Sequence, residues 1–246
     1  MAIHIGIQVY TVRDHAEKDL EGTLAALAQA GYEGVQFAGY YGYSPEQLEA
    51  MLSRCGLKAA GTHVGLEALT GSVPEQIRYA KALGIPDITI AGTSRHPINR
   101  PEVTDEVAGI QKQLAAAGLG LSYHNHYHEF ETSGGAYPLD DFFRTLPEVG
   151  MELDTYWCAY AGVNPLDYMR LNVGRLRHIH IKDMKEKPEE RRVNANIGEG
   201  ILPVADFLAA AQKQGVEWAF VEMDRTDGDS LECAAVSRRN LRAMGY

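Results

Sequence analysis

Five short sequences in this chain place glycine before an aliphatic or aromatic residue at the end of a helix-like stretch. They are Ala30-Gly31-Tyr32, Cys55-Gly56-Leu57, Leu83-Gly84-Ile85, Ala117-Gly118-Leu119 and Gln214-Gly215-Val216. Each puts glycine where a helix C-cap needs a left-handed residue. Each is followed closely by a short run that is rich in Val, Ile and Leu or alternates tightly. The first four glycines lie 25, 28 and 34 residues apart, the length of one β-α unit. Strand candidates fall at Ile3–Gln8, Gly34–Phe37, Lys58–His63, Asp87–Ala91, Leu119–His124, Met151–Asp154, His178–Lys182 and Trp218–Glu222. Between them, Leu20–Ala30 carries Leu24 and Leu27 on one face. Ser44 and Pro45 open a helix to about Cys55. Ser72 and Pro74 are expected to begin the next, Pro101 and Thr104 the fourth, and Pro203 opens Val204–Gln214. Strands alternating with helices imply a parallel sheet. Eight units favour closure into a (β/α)8 barrel, and no G-x-G-x-x-G follows the first strand to suggest a dinucleotide fold.

The chain has 246 residues, close to the ~250 of one such barrel. No Pro/Ser-rich linker or charge block divides it, so residues 1–246 are expected to form one domain. A formal net charge of −10 argues against non-specific binding to nucleic acid or to an anionic membrane. The odd, scattered cysteines Cys55, Cys158 and Cys233 do not suggest a disulfide framework or a zinc ribbon, and fit a reducing cytoplasm. The start M-A-I-H-I-G-I-Q-V reads as a strand rather than a signal peptide. No run reaches the ~18 apolar residues of a membrane span. The sequence is compatible with self-association.

Acidic and imidazole side chains end the later strand candidates. Glu129 follows L-S-Y-H-N-H, Asp154 ends M-E-L-D, His180 lies in H-I-H-I-K-D and Glu222 in F-V-E-M-D. Asp154 and His180 are 26 residues apart, His180 and Glu222 42, so consecutive strands offer ligands at one end of the barrel. That end is where barrel enzymes build their sites. Carboxylates with an imidazole suit a hard or borderline divalent cation, here one ion, with Mn2+ expected and Mg2+, Co2+ or Zn2+ as alternatives.

The segment His124-Asn125-His126-Tyr127-His128-Glu129 is the densest ionisable stretch. If its strand continues, His124, His126 and His128 share one face, and Glu129 must reach the metal from a bent or bulged strand end. Asp154 could instead be an N-cap, and Trp157 could pack in the core or face a sugar ring. His178, His180 and Lys182 share the lumen face of one strand, with Lys182 a partner for substrate oxygen. Asp183 is expected to pair with Lys182 or to hold an imidazole in one tautomer. Glu152 and Asp224 alternate with the principal acids as competing ligands. His63, Gln8 and Gln36 would line the same mouth, and Lys182 and Arg192 could bind phosphate.

The segments L-D-T-Y-W (153–157), H-I-H-I-K-D-M-K (178–185) and N-I-G-E-G-I-L (196–202) resemble the xylose isomerase-like barrel superfamily of sugar isomerases and epimerases. Inosose dehydratase-like proteins and endonuclease IV also belong to that superfamily. The resemblance spans essentially the whole chain. For the epimerases it implies a divalent metal on Glu, Asp, His and Glu, the last three mapping onto Asp154, His180 and Glu222. The first glutamate departs from the pattern, because the fifth strand carries His124 in its place. Glu129 is taken as the ligand, as in a branch with H-N-H-x-x-E, and His124 is its rival. An endonuclease IV-like nuclease is disfavoured. Trp157 stands where its histidine would be, Arg192 and Asn194 replace its later Asp and His, and Ile90–Thr93 contains no histidine.

The resemblance implies a sugar or keto-sugar substrate and proton abstraction beside a carbonyl, giving isomerisation or epimerisation through an enediolate. Glu222, with His126 or His128, would move the proton, and His63, Asn125, Trp157, Lys182 and Arg192 would hold the substrate. Two alternatives stand beside it. One is a lyase or dehydratase acting on a 3-keto-glycoside or inosose. The other is a sugar-binding barrel without catalysis.

Overall fold

The computed structural model describes residues 2–132, 135–185 and 194–246. Its element order is β1 (His4–Gln8), α1 (Arg13–Ala16), α2 (Leu20–Ala30), β2 (Gly34–Ala38), α3 (Pro45–Cys55), β3 (Lys58–Val64), α4 (Leu66–Leu83), β4 (Asp87–Ile90) and α5 (Pro101–Ala116), followed by β5 (Gly120–His124), α6 (Pro138–Thr145), β6 (Gly150–Asp154), α7 (Thr155–Tyr160), α8 (Pro165–Leu171), β7 (Leu176–Ile181), α9 (Val204–Lys213), β8 (Trp218–Val221) and α10 (Ser230–Ala243). The eight strands pair in chain order, all parallel, and β8 closes onto β1. This is a single (β/α)8 barrel.

Local chemistry accounts for most boundaries. All five glycine stops have positive φ, between 69° and 95°. Ser44 and Gln47 form a reciprocal capping box ahead of Pro45. One boundary differs from expectation. Helix α4 begins at Leu66, and Pro74 lies inside it. Leu66, Leu69, Val73 and Ala80 form one buried stripe along this helix, and burying that stripe outweighs the one hydrogen bond that proline removes.

Strand alternation sorts the side chains. Ile5, Ile7, Ile179, Ile181 and Val221 are fully buried and face the helices. Gln8, Gln36, His124, Glu152, His178 and His180 face the lumen. The lumen floor is an apolar plug of Ala60, Trp218 and Phe220. Gly6 and Gly34 make room for it, since a Cβ on Gly6 would lie 2.7 Å from Phe220 and one on Gly34 2.8 Å from Trp218. Among the described residues no helix is long and apolar enough to cross a membrane.

Candidate metal centre

Register stacks the ionisable groups in layers. Across β5, β6 and β7, His124 pairs with Glu152 and Glu152 with His178, while Asp154 pairs with His180 one layer higher. Glu222 and Lys182 follow directly after β8 and β7. Ligand atoms from His124, Asp154, His180 and Glu222 all lie within 4.8 Å of one another. His180 Nδ1 is 2.8 Å from Glu222 Oε2, and His124 Nε2 is 3.7 Å from Asp154 Oδ2. Three of the four expected ligands therefore lie together, and the residue beside them is His124.

Glu129 is not in this group. Strand β5 ends at His124, and residues His128–Phe130 form a 3-10 turn. The turn swings Glu129 aside, where it accepts hydrogen bonds of 2.8 Å from Tyr123 Oη and from the His126 backbone N–H. His96 Nδ1 lies 3.7 Å away. Because the strand does not continue, the three histidines do not share a face. His126 stays beside the centre, its ring 5.0 Å from His124 and 5.8 Å from Trp157. His128 lies towards the rim, against Tyr127 and His96, with Nδ1 3.6 Å from Glu131. A cavity of about 390 Å3 is lined by Thr93, Ser94, His96, His126, His128 and Glu129. A larger one of about 540 Å3 lies at the opposite end of the barrel, around Lys58, Asp87 and Trp218, away from the ligand cluster.

The donor set fits a divalent cation. Two imidazole nitrogens and two carboxylate oxygens suit a borderline ion. Asp154 is the N-cap that its sequence position allows, and its other oxygen points into the ligand cluster. Its Oδ1 accepts the Trp157 N–H at 2.8 Å and caps α7. Its Oδ2 is buried without an aligned hydrogen bond, although Lys182 Nζ lies 3.0 Å away. Burial pushes the Asp154 carboxyl up to about 6, against the pull of Lys182 and His180. Burial and the neighbouring His180 push His124 well below the usual imidazole value, so it stays neutral, as a metal ligand must.

Burial would lower the pKa of His180, but Glu152 and Glu222 raise it to about 10. Another cation of the site is Lys182. Its Nζ lies 3.0 Å from Asp154, 2.8 Å from Glu222 and 2.9 Å from Asp224. Burial alone would lower its pKa, but these three carboxylates hold it well above the ordinary lysine value. Burial also works to raise Glu222, and Lys182 and His180 outweigh it and keep it ionised. His126 is lowered to about 4, first by burial and then by Lys182.

Other expected residues have different surroundings. Both ends of the Asn125 amide engage the Asp154 backbone, accepting from N–H at 3.0 Å and donating to C=O at 3.4 Å. Asn125 therefore braces Asp154. His63 reaches into the lumen and hydrogen-bonds Glu152, its ring stacked on His180 at 4.9 Å. Trp157 is buried, its indole N–H without a hydrogen-bond partner, and Lys182 Nζ lies 5.4 Å from the centre of its ring. Arg192 lies outside the described residues. Asp183 neither pairs with Lys182 nor holds an imidazole. It accepts four backbone N–H groups, from Met184, Gly198, Gly200 and Leu202, and so folds the N-I-G-E-G-I-L segment. A Cβ on Gly200 would lie 2.2 Å from Asp183 Oδ1, so glycine is required there.

A family model described as "Xylose isomerase-like TIM barrel" matches residues 24–244. "Rhizopine catabolism protein MocC" of Rhizobium meliloti is 26% identical over 190 residues, covering 68% of this chain and 58% of that protein. "Inosose dehydratase" of Geobacillus thermodenitrificans (strain NG80-2) is 23% identical over 272 residues, covering 92% of this chain and 90% of that protein. Among solved structures, a sugar phosphate isomerase/epimerase from Parabacteroides distasonis ATCC 8503 superposes with a TM-score of 0.79 at 20% identity. That match covers 99% of this chain and 94% of the other.

Proposed function

The chain belongs to the xylose isomerase-like TIM barrel family, and from that premise and the site geometry we propose that it is a metal-dependent sugar isomerase or epimerase. The observation that carries the reading is the convergence of His124, Asp154, His180 and Glu222 at the C-terminal ends of β5 to β8. We assign these four as ligands of one borderline divalent ion of the Mn2+ or Zn2+ kind, with His124 in the place that Glu129 was expected to take. Such an ion, when bound, polarises a carbonyl and offsets the negative charge that develops as the adjacent proton leaves.

The chain's own residues supply the rest. Glu222 stays ionised and accepts the proton from the carbon beside the carbonyl of a sugar or keto-sugar. Lys182 neutralises the excess carboxylate charge and offers N–H to substrate oxygens. His126 is neutral at physiological pH and accepts or returns a proton from the β5 side. Asn125 keeps Asp154 in place. We do not assign His128 a catalytic role, because its ring lies at the rim.

One observation favours a dehydratase as second reading. β5 ends in the imidazole of His124 where the epimerase pattern has a glutamate, and the relative matched over 92% of this chain is named an inosose dehydratase. Both reactions begin with the same proton abstraction and differ in whether a β-hydroxyl departs. The test is incubation of the Mn2+-loaded protein in D2O with free ketoses, an inosose and a 3-keto-glycoside. The isomerase reading expects deuterium beside the carbonyl of a ketose and none with Glu222→Gln. Elimination without ketose exchange would replace it by the dehydratase. Tight sugar binding without exchange or elimination would make the protein a non-catalytic binder.

A further inference from the structure

Beneath the proposed ligands lies a fully buried carboxylate, Glu152, that the proton-transfer reading does not use. It sits on β6 two residues before Asp154, on the same lumen face and one layer lower. Its Oε1 is hydrogen-bonded by His63 Nε2 and lies 3.2 Å from His124 Nδ1 and 3.1 Å from His180 Nε2. Its Oε2 accepts Gln36 Nε2 at 2.6 Å and lies 3.3 Å from His178 Nδ1. Both proposed imidazole ligands thus turn one nitrogen down to Glu152 and the other up to Asp154 or Glu222.

The direction of the protons is set from outside the cluster. The backbone N–H of Tyr10 donates to Gln8 Oε1 at 3.1 Å. Gln8 must then present its NH2 to Gln36 Oε1, at 2.8 Å. Gln36 in turn presents its NH2 to Glu152. His180 Nε2, 2.7 Å from the same Gln36 oxygen, meets only acceptors and must carry a proton. Its Nδ1 faces another acceptor, Glu222 Oε2 at 2.8 Å, so both nitrogens carry protons in the metal-free ring, and the Nδ1 proton is the one that a metal bound beside Glu222 would displace. For His124 the placement is reversed round the ring, with Nδ1 3.2 Å from Glu152 but without an aligned hydrogen bond. Nδ1 faces the Glu152 oxygen, and Nε2 is left beside Asp154.

We propose that Glu152 is a positioning residue, a single buried carboxylate that holds the two imidazole ligands in opposite tautomers, His124 to bind metal through Nε2 and His180 through Nδ1. This rests on the metal reading above. Carboxylates behind metal-bound histidines fix ring orientation and raise ligand basicity, and here one carboxylate serves two rings. His63, His124, Glu152 and His180 could themselves be taken for a second metal site, since their ligand atoms also lie within 4.8 Å. The Gln8–Gln36 relay argues against it, because an ion there would need His180 Nε2 bare.

The test uses the intact protein loaded with Zn2+, which is diamagnetic. Competition with a chromophoric chelator gives stoichiometry and affinity, and long-range 1H–15N spectra give the tautomer of each histidine. Wild type is expected to bind one Zn2+, with Nε2–H on His180 and Nδ1–H on His124. Glu152→Gln is close to isosteric but turns an amide N–H towards the rings. It should still bind one Zn2+, about 10- to 100-fold more weakly, with at least one ring losing its tautomer. Glu152→Asp should recover part of the affinity. The wild-type spectrum alone decides the tautomers if the variants fail to fold. Two Zn2+ per wild-type chain falling to one in Glu152→Gln would make Glu152 a ligand and overturn the inference. So would identical tautomers on the two rings, or wild-type affinity in Glu152→Gln. No zinc in wild type at all would instead overturn the metal reading on which the inference stands.

Discussion

Replacing Lys182 by methionine should destabilise the metal-free protein and make it depend on added metal. Its ammonium is fully buried among three carboxylates at 2.8 to 3.0 Å. At an effective dielectric near 20, one contact at this distance is worth roughly 6 kcal/mol of Coulomb energy. Desolvation of the ammonium offsets much of the sum. Breaking a buried pair by removing one partner costs about 3–5 kcal/mol, because the other charge is left uncompensated. For a chain of this size about 2–4 °C of melting temperature goes with each kcal/mol, so Lys182→Met should melt roughly 6–20 °C below wild type in EDTA. Methionine keeps the length and apolar stem, so cavity formation contributes little. Saturating Mn2+ or Zn2+ should then raise the melting temperature of Lys182→Met by more than it raises that of wild type. The divalent ion supplies the missing charge and has no ammonium to displace from Asp154 and Glu222. Scanning calorimetry with and without metal checks both halves. An EDTA melting point within about 2 °C of wild type, or a metal-induced rise no larger than wild type's, would refute the reasoning.

His180→Ala should lose the bound metal, read by elemental analysis, because the donor set cannot then be completed. His124→Gln should weaken metal binding more than Glu129→Gln, since Glu129 points to Tyr123 and the His126 amide; the reverse order in a metal titration would return Glu129 to the shell. His126 gives a pH signature. Its pKa in the fold, about 4, lies below the unfolded value near 6.5, so between those pH values the unfolded chain binds the extra proton. Metal-free wild type should accordingly lose stability as pH falls from 6.5 to 4, by at most roughly 3 kcal/mol. Urea melts of His126→Gln should show a shallower acid limb, and an unchanged limb would assign the loss to other groups. Asp183→Ala removes the acceptor of four loop N–H bonds and should speed proteolysis within residues 194–202 without loss of the barrel's circular dichroism; equal cleavage rates would count against its role.

The fold was legible because its signals are local. A left-handed glycine at five helix ends, a capping box at Ser44 and period-two alternation in H-I-H-I-K depend only on near neighbours. They give the order of elements and the face each side chain takes. Asp154, His180 and Glu222 were legible for the same reason, since each sits within one residue of a strand end. Tertiary structure decided what depends on where a strand stops and how strands register. β5 ends at His124, so His124 turns into the lumen while the 3-10 turn carries Glu129 away. Pro74 was expected near a helix start, yet packing of the Leu66–Ala80 stripe carried the helix through it. Glu152 read as a spare acid because its meaning lies in His63, His124, His178, His180 and Gln36, drawn from four other strands. Asp183 read as a partner for Lys182 because its true partners are backbone N–H groups, which carry no trace in side-chain identity. Sequence determines which residues can face the lumen, and only barrel closure determines which of them meet.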